Sequence, residues 1–330
     1  TNMNVSQLTR LSITKLRKAR VLILFILTTF LVVLIWSPST GLSSIIDSSQ
    51  SSLVNNSSTA TAVSSNKNNK VVVLTFDDGL KSQYTNAKPI LDKYGFKAAY
   101  FIVCNFVGKD AQQMSSPNIV DFIGKGLDQM NWEDIKILEK EGNIIGAHTM
   151  NHIDLNNLSA AQLDHEIGQS KECLTNKGIT TDIFAYPYNS GKDNATVVDM
   201  VSKYFDMARS ANKPLMFLGC IQPDRSGGES YQQIDCSTYS ADGSPNEMSK
   251  YSIVGWSHDY LRRKYSYDDS QMLKEFINTV NSQANHNEIG QISAIPIIIY
   301  HRVDDSGTEY STTPRLFDEE MKYLHDNGFD

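Results

Sequence analysis

The chain has 330 residues, 40% of them hydrophobic and 20% charged, with a formal net charge of −7. That length holds one large α/β domain with appendages, or two small domains. The charge is uneven: residues 1–36 hold Arg10, Lys15, Arg17, Lys18 and Arg20 and no acid, which leaves 25 Lys+Arg against 37 Asp+Glu, a net of −12, for the rest. So acidic a body argues against a nucleic-acid partner, because phosphate contacts need clustered Lys and Arg. Cys104, Cys173, Cys220 and Cys236 form no C-x-x-C pair, which argues against a thiolate zinc site.

Residues 21–36, VLILFILTTFLVVLIW, are apolar apart from two threonines. As a helix they span roughly 24 Å, somewhat less than the ~30 Å hydrocarbon core, with Trp36 at one interface. The basic flank predicts residues 1–20 as a cytoplasmic tail and everything after residue 36 outside. SPSTGLSSI follows with no A-x-A cleavage site, so an uncleaved single-pass anchor in the cell membrane is expected, with cleavage and secretion as the alternative. Residues 37–69 are rich in Ser, Asn and Thr and read as a disordered tether. Asn55 and Asn56 each open an N-x-S sequon there, as chance also allows in such a composition.

From residue 70 apolar runs alternate with helical patterns. KVVVLTF (70–76), KAAYFIV (97–103), NIIGA (143–147), DIFAY (182–186), MARS (207–210), SIVGW (252–256) and IPIIIY (295–300) are the expected strands. Between them, helices are expected over 84–94, from an Asn131 cap to Lys140, from a Ser159 cap to about Lys177, and near 194–204. Repeated β-then-α units predict a parallel sheet or barrel in one domain, residues 70–330. Residues 211–250 lack a period and read as a long loop, with a Cys220–Cys236 bridge as one way of pinning it; four cysteines leave three pairings open. Thr313 and Pro314 open an amphipathic helix that stops at Gly328. The first residue is not Met and Phe329–Asp330 begin a new run, so a fragment of a longer chain is expected.

Four strand ends carry chemistry. Thr75-Phe76-Asp77-Asp78-Gly79 puts two adjacent carboxylates where parallel α/β folds build their sites; a turn or helix cap is the plainer use of Asp-Asp-Gly. His148-Thr149-Met150-Asn151-His152 places two histidines four apart, able to meet on one metal if the backbone turns helically. With a carboxylate from another strand they make a His2Asp site with open positions, suited to zinc, with cobalt, nickel or manganese as alternatives. Phe184-Ala185-Tyr186-Pro187-Tyr188-Asn189 ends a third strand, and Tyr300-His301 ends a fourth.

In this order the four motifs resemble the NodB-homology polysaccharide deacetylases, carbohydrate esterase family 4, over about residues 70–303. The resemblance implies a distorted (β/α) barrel, here preceded by one transmembrane helix, and removal of N-acetyl groups from an N-acetylglucosamine-containing polysaccharide outside the cytoplasm. It implies Asp77 as general base, Asp78, His148 and His152 as metal ligands, the Tyr188 N–H as part of an oxyanion hole, and His301 as general acid. An arginine that opens the third motif in many members is replaced by Ala185, and Arg209 is the candidate to supply that guanidinium. Trp256 and Asp259 in GWSHD are the candidates for the hydrophobic wall and for orienting His301, and Tyr186, Pro187 and Trp256 for substrate contact. The AYPY form and YHRV followed by STTPRLFDEEMKYLHDNGF are similar to the poly-N-acetylglucosamine deacetylases. There the YH segment precedes the TFDDG strand and here it follows, as in a circular permutation. Two rival readings are a non-catalytic carbohydrate-binding protein on this fold and an O-acetyl esterase of the same family.

Overall fold

The computed structural model describes residues 69–117, 124–211, 213–218 and 249–330. The expected tail, anchor and tether over residues 1–68, and Cys220 and Cys236, lie outside the described residues. Among the described residues no helix is long and apolar enough to cross a membrane.

The strands are β1 (Val73–Phe76), β2 (Ala99–Ile102), β3 (Ile144–Ala147), β4 (Ile183–Ala185), β5 (Met207–Arg209), β6 (Leu215–Phe217), β7 (Trp256–Ser257) and β8 (Ala294–Tyr300). They lie in the order β5-β4-β3-β2-β1-β8, with β7 and β6 also pairing β8. All pairings are parallel except β6 with β8. Strands of such a sheet bury both faces and so read as unbroken apolar runs, as β2 (AYFI) and β8 (AIPIIIY) do. The segment 253–257 returns the sheet towards its start: Ile253 bridges Arg209 of β5, while Trp256 and Ser257 pair with Ile298 and Ile299 of β8. The expected strand at 252–256 is thus a bridge plus a two-residue strand, and β6 lies within the stretch expected to be loop.

Helices α1 (Lys88–Tyr94), α2 (Trp132–Lys140), α3 (Gln169–Thr175), α4 (Ala195–Tyr204), α5 (Tyr260–Tyr265), α6 (Asp269–Ser282) and α7 (Pro314–Asp326) accompany the sheet. Local chemistry sets their ends. Asn131 Oδ1 accepts from Asp134 N–H at 3.0 Å while Asp134 Oδ2 accepts from Asn131 N–H at 2.8 Å, a reciprocal cap on α2. Gly95, at φ +79°, ends α1 in the left-handed conformation. Thr313 caps α7 through Leu316 N–H, with Pro314 in the first turn. A π turn (Gln83–Ala87) precedes α1 and another (Asp164–Gly168) precedes α3. A disulfide joins Cys104, just after β2, to Cys173 on α3.

The sheet has two faces with different contents. On the helix side, Phe76 stacks between Tyr100 at 5.0 Å and Tyr300 at 5.4 Å, with Phe317 of α7 edge-on at 5.8 Å. Each fully buried ring contributes roughly 1.5–3 kcal/mol. Across the other face Arg209, at the end of β5, reaches Asp77, just past β1, although three strands separate them in the sheet. Only a strongly curled sheet brings those strand ends together. The Arg209 guanidinium lies 4.8 Å over the ring of Phe101 on β2. Phe101 in turn occupies the space beside Gly146, where an added Cβ would meet the ring at 2.5 Å.

Gly146→Ala therefore pushes on Phe101 and, through it, on Arg209. Overpacking of this kind should cost about 1–3 kcal/mol, read as a lower urea midpoint with unchanged slope; an unchanged midpoint would mean that Phe101 yields freely.

Candidate active site

Parallel strands deliver their C-terminal ends to one rim, and that is where the polar motifs converge. Asp77 and Asp78 follow β1, His148 to His152 follow β3, Tyr186 to Asn189 follow β4, Arg209 ends β5, His258 and Asp259 follow β7, and His301 follows β8. The backbone there is strained. Asp78 (φ +74°), Thr149 (+67°), His152 (+54°), Tyr188 (+54°) and Asn189 (+62°) occupy the left-handed region, which side-chain-bearing residues enter at a cost of order 1–3 kcal/mol each where surrounding contacts hold them.

Asp78, His148 and His152 are buried and offer ligand atoms all within 4.8 Å of one another. Asp78 Oδ1 lies 3.2 Å from His152 Nε2 and 3.6 Å from His148 Nε2. The two histidines meet through left-handed residues in a tight turn rather than through the helical turn expected from their spacing. His152 N–H bonds Thr149 Oγ1 at 2.9 Å. His148 Nδ1 sits 2.8 Å from the Ala185 carbonyl, so Nδ1 carries the hydrogen and Nε2 keeps a lone pair. Burial pushes His148 down to about 3, with His152 and Arg209 adding to the effect, so its imidazole is neutral. A neutral imidazole nitrogen aimed at a buried carboxylate from 3.6 Å is the donor set of a divalent cation, and these residues fit one.

Beside this trio stand another carboxylate and another imidazole. Burial raises the Asp77 carboxyl, but Arg209, His148 and His301 outweigh it and hold it below its ordinary value. Arg209 Nη2 donates to Asp77 Oδ1. His301 has the opposite surroundings. Burial draws its imidazole down, yet Asp259, then Asp78 and Asp77, carry it up to about 9. Asp259 takes the His301 backbone N–H on Oδ2 at 2.7 Å and lies 3.0 Å from Nδ1 through both oxygens.

Residues outside the motifs hold this rim. Gln83 donates to the carbonyls of both Asp77 and His301, cross-linking the ends of β1 and β8. Glu166 accepts from Asn151 N–H at 2.9 Å and Asn151 Nδ2 at 2.7 Å and so anchors the histidine turn. Neither was foreseen, since each gains meaning only when distant segments meet.

The three expected substrate contacts need correction. Tyr186 and Pro187 are buried, Tyr186 edge-on to Phe184 at 5.3 Å, so that ring packs in the core and has no face for a sugar. The open ring is Tyr188, 51% exposed and 4.5 Å from His152. Trp256 is half-buried and pairs with Ile298, packing against the core on the helix side of the sheet and edge-on to His258 at 5.4 Å, so, like Tyr186, it faces away from the site.

The site thus gathers an Asp-His-His trio at the open end of a parallel α/β sheet. Residues 64–204 match the polysaccharide deacetylase family model, so this part of the chain is similar to the polysaccharide deacetylases. The chain is 31% identical over 119 residues to YxkH of Bacillus subtilis (strain 168), which carries a polysaccharide deacetylase name, covering 36% of this chain and 37% of that one. It is 30% identical over 104 residues to the peptidoglycan-N-acetylmuramic acid deacetylase PdaA of the same organism, covering 31% and 32%. The matches thus span about a third of these relatives. Among solved structures it is similar to IcaB from Ammonifex degensii, with 25% identity and a TM-score of 0.36 over 42% of this chain and 59% of that one. It is also similar to the T48 deacetylase solved with substrate, at 16%, 0.44, 79% and 87%.

The trio predicts one equivalent of Zn2+ or Co2+ per chain by calorimetry. His148→Ala should weaken that binding by more than about a hundredfold, beyond the loss of a supporting hydrogen bond alone, while Asp77→Asn should retain it. An undiminished equivalent in His148→Ala would rule the trio out as the ligand set.

Proposed function

We propose that this protein removes N-acetyl groups from an N-acetylglucosamine-containing polysaccharide by metal-assisted hydrolysis. One observation carries the reading: a carboxylate held ionised and an imidazole held protonated flank the same trio, and opposed shifts of this kind mark a base and an acid. When bound by Asp78, His148 and His152, a divalent cation supplies Lewis-acid polarisation of the acyl oxygen and acidifies water.

The chain's own groups do the rest. Asp77 takes the proton of the attacking water, and Arg209 keeps it ionised to do so. The Tyr188 N–H donates to the developing oxyanion, a type of contact worth about 2.7–4 kcal/mol. His301 hands its proton to the departing nitrogen, which must be protonated before an amide bond breaks. Asp259 holds that ring in place and raises its basicity. Tyr188 offers aromatic surface to the sugar. The protein acts outside the cytoplasm, where the Cys104–Cys173 disulfide is at home, tethered to the cell membrane by residues 21–36.

Acetate release from acetylated chitooligosaccharides, with and without a chelator, tests this. The expected result is turnover that the chelator abolishes and zinc restores, and a loss of about 10²–10⁴-fold in Asp77→Asn. Chelator-insensitive turnover, or release from O-acetylated xylan alone, would refute it. The pH profile follows from the same groups. Activity should be flat from below neutrality and fall as His301 loses its proton near pH 9. Asp259→Asn removes the charge that raises His301, so the falling limb should move to lower pH; a limb that stays put would exclude His301 as the acid.

A further inference from the structure

The register of β7 on β8 has an outward side that the chemistry above does not use. Ser257 pairs with Ile299, so His258 stands opposite Tyr300 and Asp259 opposite His301. His258 N–H bonds the Ile299 carbonyl at 3.2 Å, extending the ladder by one step. Asp259 and His301 face each other at the site. His258 and Tyr300 lie on the other side, their rings 5.2 Å apart. There a single carboxylate touches both. Glu320 Oε2 accepts from Tyr300 Oη at 2.8 Å, and Glu320 Oε1 lies 2.7 Å from His258 Nε2, off the line of an ideal hydrogen bond. Glu320, His258 and Tyr300 are all 0% exposed.

Glu320 belongs to α7, on the stripe it shares with Leu316, Phe317, Met321 and Leu324. A leucine there would bury as well without desolvating a charge, so a carboxylate is a poor choice for packing alone. Its two oxygens instead grip the two residues that immediately precede Asp259 and His301.

We propose that Glu320 is a positioning residue for the Asp259–His301 pair, fixing the two strand ends from the outer side of the sheet. The inference rests on His301 as proton donor. A proton donor works only when held at the right distance and angle, and a loss of about an ångström costs roughly a hundredfold. The charged groups around His301 are Asp259, Asp78 and Asp77, and the ring of Tyr310 packs on it at 4.9 Å. Of these, Asp259 is the one whose placement depends on the His258 strand end.

Three variants test this in the zinc-loaded protein: Glu320→Leu, which removes the grip; Glu320→Gln, which keeps two polar atoms in place; and Tyr300→Phe, which cuts one arm. Glu320→Leu should lower kcat about tenfold per folded molecule with KM within about twofold. The titration of the His301 ring, followed by NMR, should move to lower pH. Glu320→Gln should recover most of both, and Tyr300→Phe should fall between. A kcat lost only in proportion to the unfolded fraction, with His301 titrating as in the wild type, would overturn the proposal, as would an unchanged kcat. If Glu320→Leu does not fold, Tyr300→Phe decides: wild-type kcat and an unmoved His301 titration overturn the proposal. A wild type that releases no acetate, yet whose His301 titration still depends on Glu320, would sink the deacetylase reading and leave the positioning role standing.

Discussion

Two neighbouring carboxylates, Asp77 and Asp78, are both buried at the end of β1, and neither can stay there ionised without a positive partner of its own. One guanidinium cannot serve both, because adjacent residues leave a strand end in different directions. Asp77 turns across the curled sheet to Arg209 on β5. Asp78, twisted into the left-handed region, turns to the two imidazoles after β3, and a cation held by that trio would be its positive partner. The curl of the sheet, the glycine that makes room for Phe101 and the strained turns after β3 and β4 all follow from housing two acids side by side.

The two faces of the sheet divide the labour. The inner ends of the strands carry charge and strain, while the outer face is an aromatic layer of Tyr100, Phe76, Tyr300 and Phe317, with His258 continuing it towards Phe276. Such a layer is stiff because its rings interlock. Strained polar turns persist only on a foundation that cannot relax around them. Gln83 and Glu166 add cross-links at the rim itself, joining strand ends and turn backbone where no ladder hydrogen bonds remain.

Much of this was legible in the sequence, and the limits have physical reasons. Apolar runs closed by Asp77-Asp78, by His148 and His152 and by His301 stand out because ionisable residues at the ends of buried strands need an explanation. The parallel order followed from alternating strands and helices. Arg209 was legible through the resemblance, as the candidate for the guanidinium missing at Ala185; its pairing with Asp77 depends on curvature, which no local pattern encodes. Tyr186 and Tyr188 look alike in a string of letters, yet a left-handed backbone sends one ring into the core and the other to the surface. Helix α6 had its signal in plain view, with Asp268 and Gln271 forming a capping box and Met272, Phe276 and Val280 four apart. Glu320 was visible too, as an acid on the apolar stripe of α7.

The far end of that helix has a bearing on descent. Asp330 lies against the entrance to β1: its N–H bonds the Lys70 carbonyl at 3.0 Å, and its own carbonyl accepts from Val72 N–H at 2.9 Å. The block carrying β8 and α7 therefore packs beside the start of β1 whichever of the two is made first on the ribosome. A rearranged gene that joined these neighbours and opened the polypeptide elsewhere would ask for a short bridge and no repacking. Reordered versions of this scaffold are thus reachable by shuffling coding segments, with the contacts that build its polar rim left untouched.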